Sequence, residues 1–544
     1  MDGPATRSRI TEIAKQRSQK ITETIEDVEN AATTDSPVQL TSSSLLARNA
    51  TLNLLGEGWT FLVLIAAMPK LVAFLGETSF GLFSLAWVVI GYLTFLDVGV
   101  NRAATKFVSE HLAGQDDDSV RTVVRTALMA NLALGLVGGS VIALLSPYLI
   151  HSVFKVSPSL EGQARLTFYA VGLAVPVLLV QGIFRAVLSS YQRFGWINVV
   201  NAGATTAQWG LAALLAWKGL GVAWVVFVTV VVRMIATAIY GVVLSRLLPG
   251  IHLPGASSLS MAFRLLRFGS WVSVSQLVSP ALVYLDRMLI ASFVSLGAVT
   301  LYTVPYEVMT RLRVIPSSMT GTLYPAFSER GLEGQQVHLE QLYERSIRYL
   351  LLLLMPGILL LVILGSDVLT LWMGSAFARQ TVAVLEILAL GVLANSIALV
   401  PYNVLQAVGR PDLTGKFHLL ELPPYVALCF VLIPRWGIRG AALASTFRFA
   451  LDAALLFWAV RKYCHCSLRV FWTRSFPGIM ALTLVLAAGL VGIRMILPAP
   501  WMRLGAGAVS VLTYFAAAWV LVIDDGEKPG ISAAARIFRS QPAS

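Results

Sequence analysis

Between about residue 45 and about residue 525, long apolar segments alternate with short polar connections along the chain. Many of these segments reach about 20 residues, the length that an α-helix needs to cross the roughly 30 Å hydrocarbon layer of a membrane. They lack the strict alternation of polar and apolar residues that a membrane β-barrel requires. The pattern therefore predicts an all-α polytopic membrane protein.

Proline, glycine and clusters of charge mark the ends of about 14 predicted transmembrane helices, called spans 1 to 14. The spans cover about residues 45–74, 78–100, 122–149, 163–187, 196–217, 219–246, 264–293, 297–325, 343–372, 381–408, 414–434, 437–461, 475–497 and 502–523. An α-helical bundle is the only architecture that satisfies the backbone hydrogen bonds of so many apolar segments.

The second part of the chain repeats the first at an offset of about 220 residues. Three landmarks recur: Leu75-Gly76 as Leu296-Gly297, Ser109-Glu110 as Ser328-Glu329, and Gly221-Val222-Ala223 as Gly440-Ala441-Ala442. So constant a spacing indicates two copies of a six-helix unit, a symmetry typical of transporters. We expect a partly disordered polar tail at 1–44, an N-lobe at 45–248, a C-lobe at 264–461, an additional helix pair at 475–523 and a second tail at 524–544.

The distribution of charge predicts how the chain is oriented. Of the 544 residues only 13% are charged, the formal net charge is +12, and the mean hydropathy is +0.73. The excess of basic residues falls almost entirely in every second loop, which is the positive-inside pattern of a membrane protein rather than a nucleic-acid-binding surface. We therefore predict that both termini are cytoplasmic, that membrane lipids surround the helices and that no nucleic acid binds. An even number of helices per copy gives both copies the same orientation.

Motifs of enzymes and metal sites do not fit this chain. No His-Glu-x-x-His or Gly-x-Ser-x-Gly motif is present, and the stretch from Gly409 to Lys416 has the wrong spacing for a phosphate loop. We predict a protein that is not an enzyme, with no catalytic residues and no cofactor. Cys464-His465-Cys466 has no accompanying Cys/His cluster, so neither a metal site nor a disulfide is predicted.

Ionisable residues inside the predicted spans are the candidates for function. Each costs about 2.5 to 3.5 kcal/mol on insertion scales and therefore often marks an ion or substrate path. Glu57 lies alone between two glycines of span 1 and is the candidate for binding a coupling ion. The candidates for substrate binding are Arg233, Glu307, Arg311, Arg448 and Asp452.

Four of these candidates form two pairs at a spacing of four residues, Glu307 with Arg311 and Arg448 with Asp452. Residues four apart lie on one face of a helix, so an ion pair within the helix, which only orients it, is the alternative interpretation. Pro305 and Pro316 predict a bent span 8, whose freed backbone groups need a cavity lined by protein or water.

Arg102 and Arg185 lie at the predicted inner ends of spans 2 and 4. A guanidinium group binds phosphate through two hydrogen bonds and stays charged when water is removed. Both arginines are therefore candidates for contact with an anionic diphosphate at the inner face. Simple anchoring at the membrane surface is the alternative.

Three stretches resemble a known family: Leu75–Trp87 (LGETSFGLFSLAW), Phe95–Glu110 (FLDVGVNRAATKFVSE) and Tyr284–Ile290 (YLDRMLI). They are similar to the polysaccharide-transporter, or Wzx-like, flippases of the multidrug/oligosaccharide-lipid/polysaccharide exporter superfamily. The resemblance implies two six-helix lobes that alternate access across the bacterial inner membrane. It implies as substrate an oligosaccharide linked to undecaprenyl diphosphate, a cationic cavity to which Arg233, Arg311 and Arg448 contribute, and a separate polysaccharide polymerase or copolymerase as partner.

Two other functions stay open at this point. A cation- or proton-coupled multidrug exporter of the same superfamily would use Glu57 as its coupling group. A membrane polymerase or ligase of glycan assembly belongs to another class, and it predicts neither the duplication nor the short outward loops.

Overall fold

A computed structural model describes residues 43–93, 97, 99–250, 259–314, 316–317, 319–320, 323, 327, 336–466 and 475–523. The predicted tails lie outside these ranges, except for residues 43 and 44. The chain divides into two units, residues 1–55 and 56–544, and every contact given below lies within the second unit.

The described residues form α-helices and no β-strand. In chain order, they are α1 Ser43–Leu93, α2 Val100–Ala113, α3 Asp117–Tyr148, α4 Pro158–Ser190, α5 Phe194–Trp217, α6 Val222–Leu247, α7 Leu259–Phe293, α8 Leu296–Arg311, α9 Gln336–Met373, α10 Ser375–Ala407, α11 Pro411–Tyr463, α12 Ser475–Ile496 and α13 Pro500–Leu521. A π-helical turn, Leu149–Val153, extends α3.

Each predicted span falls on one of these helices, and two helices contain two spans each. In α1 the break between spans 1 and 2 is Gly76 (φ 76°), and in α11 the break between spans 11 and 12 is Gly437 (φ 55°). Positive φ angles of this size favour glycine because it has no Cβ. We call the two parts α1a (43–75) and α1b (77–93), and α11a (411–436) and α11b (438–463).

The structure confirms the all-α, polytopic fold class. In the described part of the chain, nine helices are long and apolar enough to cross a membrane, and α1 and α11 are among them. Within predicted span 8, α8 ends at Arg311 and a turn at 312–313 follows, after which the described residues 314, 316–317, 319–320 and 323 are again helical. The crossing number of about 14 therefore stays a prediction.

Helix α2 lies in a region that the sequence assigned to the end of span 2 and a loop. Gly99, in the left-handed conformation, precedes the helix and separates it from α1b. One face of α2 buries Val100, Ala103, Ala104 and Val108 in an apolar cluster with residues of α3, α4, α6 and α7. An amphipathic helix of this kind buries one face and leaves the other polar.

The order of helices repeats along the chain, as the sequence landmarks predicted. Asp117 and Gln336, the first residues of α3 and α9, are 219 positions apart. Pro158 and Ser375, which begin α4 and α10, are 217 apart. Below, the N-copy means residues 56–247 and the C-copy means residues 259–463.

Apart from the short helix α2, and with α1 and α11 each counted as two helices, successive helices run in opposite directions, so their connections fall into two sets. The Gly76 end contains the breaks or turns at 76, 154–157, 218–221, 294–295, 374, 437 and 497–499. The Gly114 end contains the turns at 114–116, 191–193 and 408–410. At the Gly114 end, the Asp116 side chain accepts a hydrogen bond from the Ser119 N–H (3.0 Å) and caps α3, and bonding to Ser119 lowers the pKa of this carboxyl.

Glycines allow several helices to approach closely. Gly139 of α3 and Gly172 of α4 face each other, and a Cβ on either would meet the carbonyl oxygen of the other. Gly81 of α1b faces the carbonyl oxygen of Leu296 at the start of α8 in the same way. The N-copy and the C-copy are therefore in direct backbone contact near the Gly76 end.

The last two helices pack against the C-copy. Ile479 of α12 and Tyr514 of α13 share an apolar cluster with Leu352 and Leu364 of α9. Arg503 of α13 also donates a hydrogen bond to Asp367 of α9, at 3.0 Å.

Candidate functional site

Asp286 of α7 is the centre of a buried polar contact between three helices. The residue is only 1% exposed. Its Oδ2 atom accepts hydrogen bonds from the hydroxyl of Tyr302 on α8 and from Oγ of Ser445 on α11b, at 3.2 Å. Tyr302 and Ser445 also contact each other, at 3.1 Å. The Asp286 carboxylate therefore holds α7, α8 and α11b together, since an unpaired carboxylate at this depth would be unstable.

The neighbouring Arg287 is buried as deeply, and its partners lie on α8. Its Nη2 atom donates to Oε1 of Glu307 at 3.1 Å, and the arginine side chain is 4% exposed. The guanidinium also lies over the ring of Tyr306, 4.5 Å from the centroid. An ion pair and a cation–π contact together compensate the loss of hydration of this arginine.

Arg311 connects the C-copy to the N-copy. Its Nη1 atom lies 3.6 Å from Oε2 of Glu57 on α1a. The arginine side chain is 30% exposed and the glutamate side chain is 55% exposed. Both groups therefore remain accessible to a ligand or to water, unlike Arg287.

The pairs at a spacing of four residues are not arranged as ion pairs within a helix. In the described ranges, Glu307 pairs with Arg287 and Arg311 pairs with Glu57. The alternative of an ion pair within α8 is therefore wrong. Glu307 and Arg311 each contact a charged residue of another helix instead.

The second such pair, Arg448 and Asp452 of α11b, also finds partners on other parts of the fold. Arg448 lies 3.9 Å from Oε2 of Glu421 on α11a, and Asp452 accepts a hydrogen bond from Asn395 of α10 at 3.3 Å. Arg448 also lies over the ring of Phe449, 4.4 Å from its centroid. The charges of this region therefore connect α10 with both parts of α11.

Beside Arg448, three side chains form what we call the acidic cluster: His418, Glu421 and Asp452. One potential ligand atom from each lies within 4.8 Å of the others. Both carboxylate oxygens of Glu421, Oδ1 of Asp452 and Nδ1 of His418 are buried without a hydrogen-bond partner. Buried oxygens of this kind require a proton, a water molecule or a cation. Among the described residues, these three are the ones placed to hold a metal ion.

The N-copy carries the remaining candidates. Arg233 of α6 donates through Nε to Oε1 of Gln208 on α5, at 3.1 Å, and lines a small cavity next to Trp87 of α1b. Arg102 on α2 and Arg185 on α4 are exposed. Within the described ranges, none of the three forms an ion pair with another candidate, so the structure does not assemble all the candidate arginines into one site.

Sequence reasoning did not select Arg287, His418 and Glu421. Within the limits given for span 7 (264–293), Arg287 lies toward the outer end, where a charge costs less than at the midplane. His418 and Glu421 lie within span 11 and are three residues apart, so they share a helical face. That spacing was a signal that could have identified them.

The long apolar helices, the repeated helix order and the charges between helices define a multi-pass membrane protein of the transporter type. Solved structures share this fold. The lipid II flippase MurJ in an inward closed conformation matches 85% of this chain and 97% of its own, with a TM-score of 0.65 and 13% identity. An inward-facing transporter of the multidrug resistance MATE family matches 76% of this chain and 96% of its own, with a TM-score of 0.61 and 16% identity.

The family follows from the sequence. The profile described as "Polysaccharide biosynthesis protein" matches residues 46–330, so the chain belongs to that family. A Shigella flexneri protein named as an O-antigen transporter is 26% identical over 420 residues, which are 77% of this chain and 98% of that protein. A Haloferax volcanii protein named as the flippase AglR is 24% identical over 395 residues, 71% of this chain and 78% of the relative.

The pair of Arg287 and Glu307 allows a test of the buried charges. We expect Glu307→Leu alone to destabilise the folded protein by about 3 to 5 kcal/mol, because it leaves a buried arginine without its partner. Adding Arg287→Leu should recover part of that loss, and thermal unfolding in detergent would measure the coupling.

The matched control is the pair of Glu161 and Arg165, which are 3.1 Å apart and whose arginine side chain is 50% exposed. Exposed pairs of this kind contribute about 0.2 to 1 kcal/mol, so their cycle should show little coupling. Equal coupling in the two cycles would contradict a special role for the buried pair.

Proposed function

We propose that this protein is a flippase of cell-surface polysaccharide biosynthesis. It moves an oligosaccharide linked through a diphosphate to a lipid, of the undecaprenyl type, from the cytoplasmic to the outer leaflet of the bacterial inner membrane. Both termini lie in the cytoplasm, so the Gly114 end faces inward and the Gly76 end faces outward. A polysaccharide polymerase or copolymerase then uses the transported product.

The family, described by polysaccharide biosynthesis, and the two relatives, named as an O-antigen transporter and a flippase, support the class of substrate. The relatives also support a transporter rather than an enzyme. Within this chain, the main support for the proposal is the contact between Arg311 and Glu57. It puts a partly exposed guanidinium at the junction of the two copies, where an anionic diphosphate can displace the glutamate.

The contacts between the copies support alternating access, with the Gly76 end closed in this structure. Thr300 of α8 donates to the carbonyl oxygen of Glu77 on α1b, at 2.6 Å. Trp372 at the end of α9 donates to the carbonyl oxygen of Ile65, at 2.8 Å. We propose that the N-lobe (45–248) and the C-lobe (264–461) separate here to release the substrate, while the pair 475–523 moves with the C-lobe.

Replacement of Arg311 tests the substrate site. In a strain that depends on this protein, we expect Arg311→Ala to lower surface polysaccharide at least about tenfold, because a charge-assisted contact to phosphate is lost. The lipid-linked saccharide should accumulate in the membrane while the amount of inserted protein is unchanged.

The control for this experiment is Arg165→Ala, which removes an exposed arginine of α4 and should leave export unchanged. Normal export in the Arg311 variant would contradict the proposed role. A change in drug sensitivity without any change in surface glycan would instead favour the multidrug exporter.

A disulfide between the two copies tests alternating access. The Cβ of Glu77 lies 3.9 Å from the position of a Cβ on Gly297, a distance that suits a disulfide. The double variant Glu77→Cys, Gly297→Cys should therefore lose export under oxidising conditions and regain it after reduction. The native cysteines, Cys429, Cys464 and Cys466, are buried.

Each single cysteine variant is the control for the disulfide, since it adds a thiol but cannot form the link. Continued export by the oxidised and fully crosslinked double variant would show that the Gly76 end does not have to open.

The coupling ion has two candidate sites in this fold, Glu57 and the acidic cluster. Glu57 already has a partner in Arg311. Glu421 lies 3.9 Å from Arg448 and 3.7 Å from His418, and both Glu421 and Asp452 retain oxygens without a hydrogen bond. With His418 neutral, two buried carboxylates beside one arginine keep one negative charge, which a proton on the cluster or a monovalent cation balances. We therefore favour the acidic cluster as the coupling site.

Proteoliposomes with an imposed proton or sodium gradient distinguish the two sites. We expect Glu421→Gln to remove the dependence of transport on the gradient, because the amide cannot release a proton or balance a cation. The matched variant Glu57→Gln should keep the dependence. The opposite result would return the coupling role to Glu57.

A further inference from the structure

A cavity of about 920 Å³ opens at the Gly76 end, on the outer side of the contact between the two copies. Both copies contribute to its wall. Glu77 and Lys155 come from the N-copy, and Ser295 and Arg439 come from the C-copy. The cavity therefore lies directly beyond the contacts of α1b with α8 that close this end.

The charge of this cavity is mainly positive. Lys155, Arg435 and Arg439 line it and are exposed, and Glu77 is the one acidic residue of its described wall. None of the three basic side chains forms an ion pair with a carboxylate in the described ranges. The cavity therefore offers unneutralised cations to an anion, and arginine is suited to hold phosphate through two hydrogen bonds.

The backbone adds to the positive potential. Three helices begin at the wall of the cavity: α4 after Ser157, α8 after Ser295 and α11b after Gly437. The N-terminus of a helix carries a partial positive charge of about half a unit and free N–H groups. Lys155 itself has a positive φ of 45°, an uncommon conformation for a residue with a Cβ.

Next to the cations lies an aromatic surface. Trp436 lines the cavity between Arg435 and Gly437 and is 57% exposed. The indole ring combines a broad apolar face with a hydrogen-bond donor. Such a ring, with the hydroxyl groups of Ser157 and Ser295 nearby, suits a sugar that follows a phosphate.

These basic residues are an exception to the positive-inside rule. Loops on the outward side of a membrane protein are normally poor in Lys and Arg, yet three basic residues of this end meet in one cavity. Orientation in the membrane therefore does not explain why these three cations meet in one cavity.

We propose that this cavity is an exit site, where the diphosphate and the first sugar of the transported lipid are held by Lys155, Arg435, Arg439 and Trp436 before release. The inference rests on the proposed function, because it takes its substrate from it. A phosphoryl group is the chemistry that the cavity recognises, and it could come from the transported diphosphate or from an ordinary phospholipid headgroup.

The test uses the purified full chain in nanodiscs of phosphatidylcholine, with inorganic pyrophosphate as the probe. Binding is measured by calorimetry for the native protein and for Arg435→Gln with Arg439→Gln. We expect the double variant to bind pyrophosphate at least about tenfold more weakly, because two charge-assisted contacts are lost.

The matched control is Lys218→Gln with Arg379→Gln, which removes two exposed cations from the same end but outside the cavity wall. This variant should bind pyrophosphate as the native protein does. Equal binding by the native protein and the cavity variant would overturn the proposal, as would an equal loss in the control variant.

A second arm separates the two sources of phosphate. Phosphatidylglycerol added to the nanodiscs should leave the affinity for pyrophosphate within about twofold. Complete displacement of pyrophosphate by this lipid would overturn the proposal, because the cavity would then be a phospholipid site.

The pyrophosphate experiment and the export experiment on Arg311→Ala can fail separately. Loss of export in Arg311→Ala together with normal pyrophosphate binding by the cavity variant would remove the exit site and leave the flippase standing. Normal export in Arg311→Ala would contradict the proposed substrate site at Arg311. The pyrophosphate measurement would still decide whether the cavity binds a phosphoryl group.

Discussion

The structure depends on one constraint, which is that a charge placed between apolar helices must find a partner on another helix. Arg287 shows the constraint most clearly, because its side chain is 4% exposed and its ion-pair partner, Glu307, comes from the following helix. In a medium without water, the loss of hydration exceeds what any single contact returns. The adjacent Asp286 is satisfied by two hydroxyl groups from α8 and α11b. Charge pairing therefore fixes which helices of the C-copy are neighbours.

The sequence predicts the fold well because hydrophobic length and glycine breaks are local signals. All the predicted spans coincide with helices, and Gly76 and Gly437 interrupt α1 and α11 where the spans were separated. The candidate site is predicted less well because its partners are distant in the chain. Arg311 and Glu307 are four residues apart, which suggested one ion pair, but the fold brings each to a different helix. The packing of α1, α7 and α8 determines these partners, and no local sequence pattern predicts that packing. The repeat gives the correct order of helices but not the contacts between copies.

The two copies have diverged in charge while keeping their helices. At an offset of 219 residues, Arg233 of the N-copy corresponds to Asp452 of the C-copy. Arg233 is satisfied by one neutral glutamine, whereas Asp452 belongs to a cluster with His418 and Glu421. A guanidinium bonded to an amide keeps its charge available to an anion, and a set of buried carboxylates suits a cation. The two copies therefore carry different charges and different kinds of partner at equivalent positions of α6 and α11b.

Helix α8 is the element through which these functions meet. Its first turns carry Gly297 and Thr300, which contact α1b at the Gly76 end. Its middle carries Tyr302, bonded to Asp286, and Glu307, bonded to Arg287. Its last residue is Arg311, which reaches across to the N-copy. A short helix held rigidly at its centre moves as one body, so in the proposed mechanism a substrate that displaces the pair at Arg311 acts on the same element that closes the Gly76 end. In that mechanism the contacts of Glu307 with Arg287 and of Tyr302 with Asp286 hold α8 against α7, so only the contacts at its two ends with the N-copy have to change.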